Sequence, residues 1–580
     1  MKKITSIIVL TCLLLAVPCV GATITVDSNG TGDFNNIKAA INDSNDGDII
    51  VVNPGTYTGL NNRNLDFLGK AITLMSTDPN EPDIVAATII DCEALGRGFL
   101  FLSGEDANSI VDGFIITNGK GDLGGGIYCE QSSPTVRNCI FSGNNSKYVG
   151  GGIYCDQSSP TVRNCIFSEN SSTLYDGGGM ANFFAASPNV SNCTFINNSA
   201  RDGGGMCNRK VSTSPKVTNC TFINNSATRF GGGIFNSESA STNVTNCTIV
   251  SNSASSVGGG IYNYFNSTPT IVNCIIWDNN PSEIDGYNSN FTVSYCDVKG
   301  GYSGPGSGEG NININPLFVD PNAGDYHLLP ASPCIDAGDP CHAYAGQTDI
   351  DGELRVFSGR VDIGSDEACP DVEVTPVGHD FGDVEVGTSA TTIATISNLG
   401  RANLTVSSMG FTTGSNSDFS ITSGPNLPAA IEPNVFVDVE ISYSPSVEGY
   451  ATAILEITTD DPDESVEEVA LGGAGVIIEV PPSQQVVDIL LFIEASVNVQ
   501  TLVGSGPGNS AEGRLGALIN MIEATGDLIE AELFEEGCQQ LRDAYRRIDG
   551  EPRPPDFASG EASAELAGMI ENLRLSLGCE

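Results

Sequence analysis

Basic residues are scarce: 25 Lys and Arg stand against 71 Asp and Glu in 580 residues, a formal charge of −46. A surface of that sign repels polyanions, which argues against nucleic acid and anionic lipid as partners and leaves divalent cations and neutral glycans open. Histidine is rarer still, with only His327, His342 and His379. Apolar runs of the ~20 residues needed to span a bilayer are missing beyond the N-terminus. Between residues 110 and 296 no segment is patterned for a helix of useful length.

What is present begins with an export signature. Met1-Lys2-Lys3, an apolar run from Ile7 to Val17 and Val20-Gly21-Ala22 supply the charged, apolar and small-residue parts of a signal peptide, with cleavage expected after Ala22. In a lipoprotein Cys19 would be acylated, but Pro18 before it fits a lipobox poorly. The expected localisation is secreted or cell-surface.

A repeat of about 27 residues dominates the next part. Gly-Gly-Gly recurs from Gly124, Gly150, Gly177, Gly203, Gly231 and Gly258, followed each time by Ile or Met. Asn-Cys recurs at Cys139, Cys165, Cys193, Cys220, Cys247 and Cys274, in steps of 26, 28, 27, 27 and 27. A unit of that length, made of short β-prone runs such as Thr135-Val136-Arg137 separated by Gly, Asn, Ser and Pro, cannot bury its own apolar face. It must stack on its neighbours as a solenoid.

Strand alternation then assigns the faces. Val136 and Phe141 and their equivalents point inward, none of the inward positions carries a charge, and Asn138 turns a corner in the left-handed conformation. Stacked amides at that corner would bond one another as identical amides do at strand spacing. The stacked cysteines lie close enough for disulfides, yet in-register parallel strands point their Cβ bonds alike, so they read as buried apolar fillers. A zinc site would need paired spacing that the ladder lacks.

These elements resemble known families. Gly-Gly-Gly-Ile with Phe-x-x-Asn (Phe141 to Asn144, Phe167 to Asn170) is similar to the repeats of polymorphic outer-membrane proteins and the wider pectate-lyase-like superfamily. Thr25-Val26-Asp27 through Pro54-Gly55-Thr56-Tyr57 is similar to the N-terminal coil of pectin methylesterases, and Asn315 to Phe318 through Asp362-Ile363-Gly364 resembles a closing segment of secreted β-helix proteins. The resemblance implies a mainly β fold with a right-handed parallel β-helix over residues 23–369, after a signal peptide at 1–22. Past Cys369, Val437, Val439, Ile441 and Tyr443 alternate with polar residues. With Phe381-Gly382-Asp383-Val384 and Ala470 to Gly473 they resemble choice-of-anchor D or Hydin-type immunoglobulin-like sandwiches, placed at 370–478. Residues 479–580 are patterned as helices, with apolar faces such as Leu515, Leu518 and Ile522, and cap spacing at Asn509/Glu512 and Asp527/Glu530. This part resembles FIMAH-type helical modules, and in an export compartment Cys538 and Cys579 are the pair to be oxidised.

Many β-helix proteins degrade polysaccharides, so the enzymatic reading must be met on residues. Polygalacturonase-like Asp pairs with His-Gly and Arg-x-Lys are missing, as is the Gln, Asp and Arg set of pectin methylesterases. The nearest arrangement is the stacked pair Asp176 and Asp202 with Arg201, Arg209 and Lys210; a second pair is Glu130 and Asp156. Two such carboxylates would shift each other or share a cation, Ca²⁺ being the ion that lyases of this fold use, although Asp is favoured at turns in any case. No motif implies another cofactor. The binding reading rests on outward Tyr128, Tyr154, Phe235 and Tyr262, four aromatics of six on one face, open to sugar rings unless a loop covers them. A non-catalytic scaffold contacting an extracellular glycan or a surface protein is the expectation; a polysaccharide lyase or glycoside hydrolase is the alternative.

Overall fold

The computed structural model describes residues 21–580 apart from 305, 341–343, 345, 358, 463, 509, 552–554 and 580. Most of the signal peptide, His342 and Asn509 lie outside the described residues. The first part is a right-handed solenoid of parallel sheets with eleven, ten, nine and six strands, each strand bonding its counterpart one coil away. We name the sheets by what they carry. The valine sheet contains Thr135–Arg137, the phenylalanine sheet Ile140–Ser142, the tyrosine sheet Ile127–Glu130, and the shorter flank sheet Lys120–Leu123.

Register makes like stack on like. Val136 pairs with Val162 and Phe141 with Phe167. The rings of Phe141, Phe167, Phe195 and Phe222 lie nearly parallel at centroid separations of 4.9, 4.6 and 4.6 Å. The corner asparagines Asn138, Asn164, Asn192, Asn219, Asn246 and Asn273 all have φ between 51° and 53°, the left-handed region that Asn tolerates best after Gly. A second, wholly buried ladder follows each phenylalanine: Asn170 Nδ2 donates to Asn198 Oδ1 at 3.0 Å and Asn198 Nδ2 to Asn225 Oδ1 at 2.9 Å, and so on to Asn279. Every such amide also donates to a main-chain carbonyl of the preceding coil, for example Asn198 to Phe167. This ladder is therefore satisfied in a repeating pattern.

The cysteines from Cys139 to Cys296 are buried free thiols. Those of the column, Cys139, Cys165, Cys193, Cys220, Cys247, Cys274 and Cys296, each donate to the carbonyl two residues back, as Cys139 does to Arg137 at 3.1 Å. Burial pushes the Cys139, Cys193 and Cys274 thiols well up.

After a closing segment that folds against the last coils, a four-stranded and a five-stranded sheet form the sandwich, around Ile396, Leu404, Ile441, Tyr443 and Leu455. Helices Pro482–Asn498, Ser510–Glu530, Phe534–Tyr545 and Ser563–Ser576 complete the chain. Asp527 lies inside the second of these, so it caps nothing: the helix runs through without the break that the Asp527/Glu530 spacing suggested, because Leu518, Ile522 and Ile529 form one continuous buried stripe. Cys538 and Cys579 form a disulfide with Cα atoms 5.4 Å apart. No helix among the described residues is long and apolar enough to cross a membrane.

Candidate functional site

The outer face of the tyrosine sheet gathers most of the chemistry. Each Gly-Gly-Gly turns the chain sharply from the flank sheet into the tyrosine sheet. Gly150 has φ +68°, and a Cβ there would stand 2.7 Å from that of Tyr154. Only glycine lets the flank strand return so close over the outward side chain. The consequence corrects the expected open strip. Tyr154, Phe235 and Tyr262 point outward from the coil as alternation requires, but they are 3%, 1% and 6% exposed. Leu123 and Val149 pack over Tyr128 and Tyr154, and Phe230 and Val257 over Phe235 and Tyr262. Tyr128 stacks on Tyr154 at 5.5 Å, and their hydroxyls donate to Glu130 and Asp156.

Exposed rings occur beside these. Tyr175 and Phe184 are 43% and 46% exposed, and Phe265 and Tyr287 are 46% and 62% exposed. Tyr148 stacks on Tyr175 at 5.8 Å, and Tyr264 on Tyr287 at 5.8 Å. The strands that carry Phe183 and Tyr264 place them two residues past the outward tyrosine position, so the same alternation rule, carried one step further along each coil, would have found them.

Asp176 and Asp202 do meet, paired one coil apart. Where these acids replace the apolar residue before the glycines, the outward residue beneath is small, Ala181 or Cys207. Both carboxylates are buried, and both are closed by arginine. Asp176 accepts from Arg209 at 2.5 Å and Arg201 at 3.2 Å; Asp202 accepts from Arg229 Nε at 2.8 Å and faces Arg201 at 3.4 Å. Arg209 also reaches Glu238 at 2.8 Å, and Lys210 pairs with the same carboxylate. Burial raises the Asp176 carboxyl above the ordinary range, Arg209 opposes that and Asp202 adds to it. Burial likewise raises Glu238, but Lys210 and Arg209 together hold it below its usual value. Arg229 and Glu238 were not among the candidates, although Arg229 stands two residues before Gly231 as Arg201 does before Gly203. The network is bordered by rings: Arg201 lies 4.7 Å over Tyr175, Arg229 4.5 Å over Phe230, and Lys210 5.9 Å from the Phe184 centroid.

A second constellation lies in the closing segment. Asp349, Asp362, Asp366 and Glu367 are buried around Arg355, which is itself fully buried and donates to the carbonyls of Asp362 and Gly364. Burial lifts the Asp366 carboxyl to about 7 and the Glu367 carboxyl to about 8. His327 stands between Asp325 and Asp351, its ring nitrogens 2.5 and 2.8 Å from their oxygens. The hydrogen bond to Asp351 is the largest cause of an imidazolium pushed up to about 10.

Comparison with known proteins agrees with this architecture. Residues 23–182 and 151–258 match the right handed beta helix region, and residues 370–473 match the HYDIN/CFA65/VesB-like Ig-like domain. The chain is thus a β-helix protein with an Ig-like domain and a helical C-terminal part. No curated protein matches it. Among solved structures, a Porphyromonas gingivalis protein of unknown function is 17% identical, with TM-score 0.16, over 18% of this chain and 46% of that one. The VesB protease of Vibrio cholerae is 14% identical, with TM-score 0.16, over 18% and 31%. A PL6 family alginate lyase, AlyGC, is 11% identical, with TM-score 0.21, over 51% and 54%. The chain spans about half of that lyase and less of the other two. Likeness at these scores carries no argument about activity.

Proposed function

We propose that this is an exported, non-catalytic β-helix scaffold that contacts an extracellular glycan through the ring-bordered ion-pair face of the flank and tyrosine sheets. The observation that supports it is the coincidence, on one outer face, of half-exposed rings with carboxylates that are already spent. Asp176 and Asp202 are buried and each is engaged by two arginines. A general acid or base needs an open approach to substrate, and a Ca²⁺ ligand needs an oxygen not already held by guanidinium. Exposed aromatics in a charged frame stack on sugar rings and supply affinity without chemistry. The Ig-like sandwich and the helical part serve as spacer and docking end.

The test is binding to a glycan panel by the full chain, repeated with Tyr175→Ala and Phe184→Ala. Affinity for the best glycan should fall in both variants while thermal stability stays within about 1 kcal/mol, as for exposed substitutions. Unchanged binding in both variants would sink the assignment. The degradative alternative keeps one point in its favour, the raised Asp176 carboxyl beside Arg209, and is addressed by a product assay below.

A further inference from the structure

We propose that His327, Asp351 and Asp366 form a binding site for one transition-metal dication of the zinc type, which fastens the closing segment to the end of the β-helix. The three residues come from separate pieces of chain: the strand Asp325–Leu328, the loop after Asp349, and the turn that follows Gly364. One donor atom from each lies within 4.8 Å of the others. Tetrahedral zinc with ligands at 2.0–2.1 Å holds its donors roughly 3.3–3.5 Å apart, so the ion seats once His327 Nε2 and the Asp351 oxygen, now 2.8 Å apart, part slightly to admit it.

Orientation is the stronger argument. His327 Nδ1 is engaged by Asp325 Oδ1 at 2.5 Å, and the same oxygen accepts the His327 main-chain N–H at 3.1 Å. That fixes the ring with Nε2 aimed at Asp351, which is the carboxylate–histidine arrangement that metal-binding imidazoles use. Asp366 is 5% exposed and is held by the Leu328 N–H at 3.0 Å. Asp349 shapes the loop instead of joining the site: one of its oxygens accepts the N–H groups of Asp351, Gly352 and Glu353, each at 3.0 Å. The Asp351 side chain is 48% exposed, leaving a fourth position to water. An imidazole donor selects zinc-like ions over Ca²⁺ and Mg²⁺, which prefer oxygen alone.

The experiment uses the full chain stripped with chelator, desalted, and titrated calorimetrically with zinc chloride, with calcium and magnesium chloride as comparisons. We expect one Zn²⁺ per chain, with affinity lowered by about 10- to 100-fold in Asp325→Asn, the fall typical of a lost outer-shell partner, and further in Asp351→Asn and His327→Gln. Co²⁺ should give the visible absorption of a four-coordinate site in the wild type and in Glu309→Gln, and that absorption should be lost in His327→Gln and Asp351→Asn. Asp351 is exposed, so its Asn variant keeps the fold if the others do not. Absence of stoichiometric zinc, equal binding of Ca²⁺, or zinc affinity unchanged in Asp351→Asn would each overturn the proposal and leave the imidazolium itself as the counter-charge.

Discussion

The coil interior and the closing segment bury polar groups in opposite ways. Inside the coils the buried polar side chains are mainly neutral amides, hydroxyls and thiols, as in the ladder from Asn144 to Asn279. The closing segment buries Asp349, Asp362, Asp366, Glu367 and Arg355 within a stretch of 19 residues. Stacking explains the difference. In an in-register repeat a charge would face its own copy ~4.8 Å away, in a medium where like charges repel strongly, whereas an amide is its own complement. A segment that does not repeat is free to set unlike charges together. Asp176 and Asp202 mark the boundary of the rule: they are stacked like charges, tolerated because Arg201, Arg209 and Arg229 surround them.

Breaking the neutral ladder should have the largest effect. Asn198→Ala removes the acceptor of the Asn170 main-chain and side-chain N–H groups and the donor to Phe167 and Asn225. At 1–3 kcal/mol for each group left buried and unpaired, the loss should exceed about 4 kcal/mol in urea unfolding. On the charged side, Arg355→Met leaves Asp362 and Glu367 without their buried cation and should cost roughly 3–5 kcal/mol by the same measurement.

The junction offers a pH test. Asp297, fully buried where the last coil meets Cys334, has its carboxyl raised to about 6 by burial. A carboxyl whose folded value lies above the unfolded value binds its proton more tightly in the folded state. Its contribution is intact below about pH 4 and is lost as pH rises toward 6, by roughly 3 kcal/mol at 1.36 kcal/mol per unit. Asp297→Asn should remove that fall from a thermal melting series taken across this window.

The smallest effect belongs to the outer face. Tyr175→Ala alone should weaken glycan binding about tenfold, roughly 1.4 kcal/mol, in a calorimetric titration.

Legibility in the sequence follows the same division. The stacking of Val136 on Val162 and Phe141 on Phe167 could be read from period and alternation, since the partner of each residue lies one coil away. The cover over Tyr154 could not: alternation says that a side chain leaves the coil, and is silent on the flank strand that Gly150 folds across it. The closing segment was least legible because its contacts join distant pieces of chain, Asn219 to Thr348 and His327 to Asp351 among them. For the outer face, the four candidate aromatics do point outward, but Tyr154, Phe235 and Tyr262 are covered, and the exposed rings Tyr175, Phe184 and Tyr287 sit at the ends of strands or beyond them.

The central claim, that the Asp176 and Asp202 network frames a binding surface and performs no reaction, is tested most directly by prolonged incubation of the full chain with a panel of neutral and acidic polysaccharides, reading reducing ends and unsaturated products. A surface that only binds releases no product above that of heat-inactivated protein. Product formed by the wild type and lost in Asp176→Asn would contradict it.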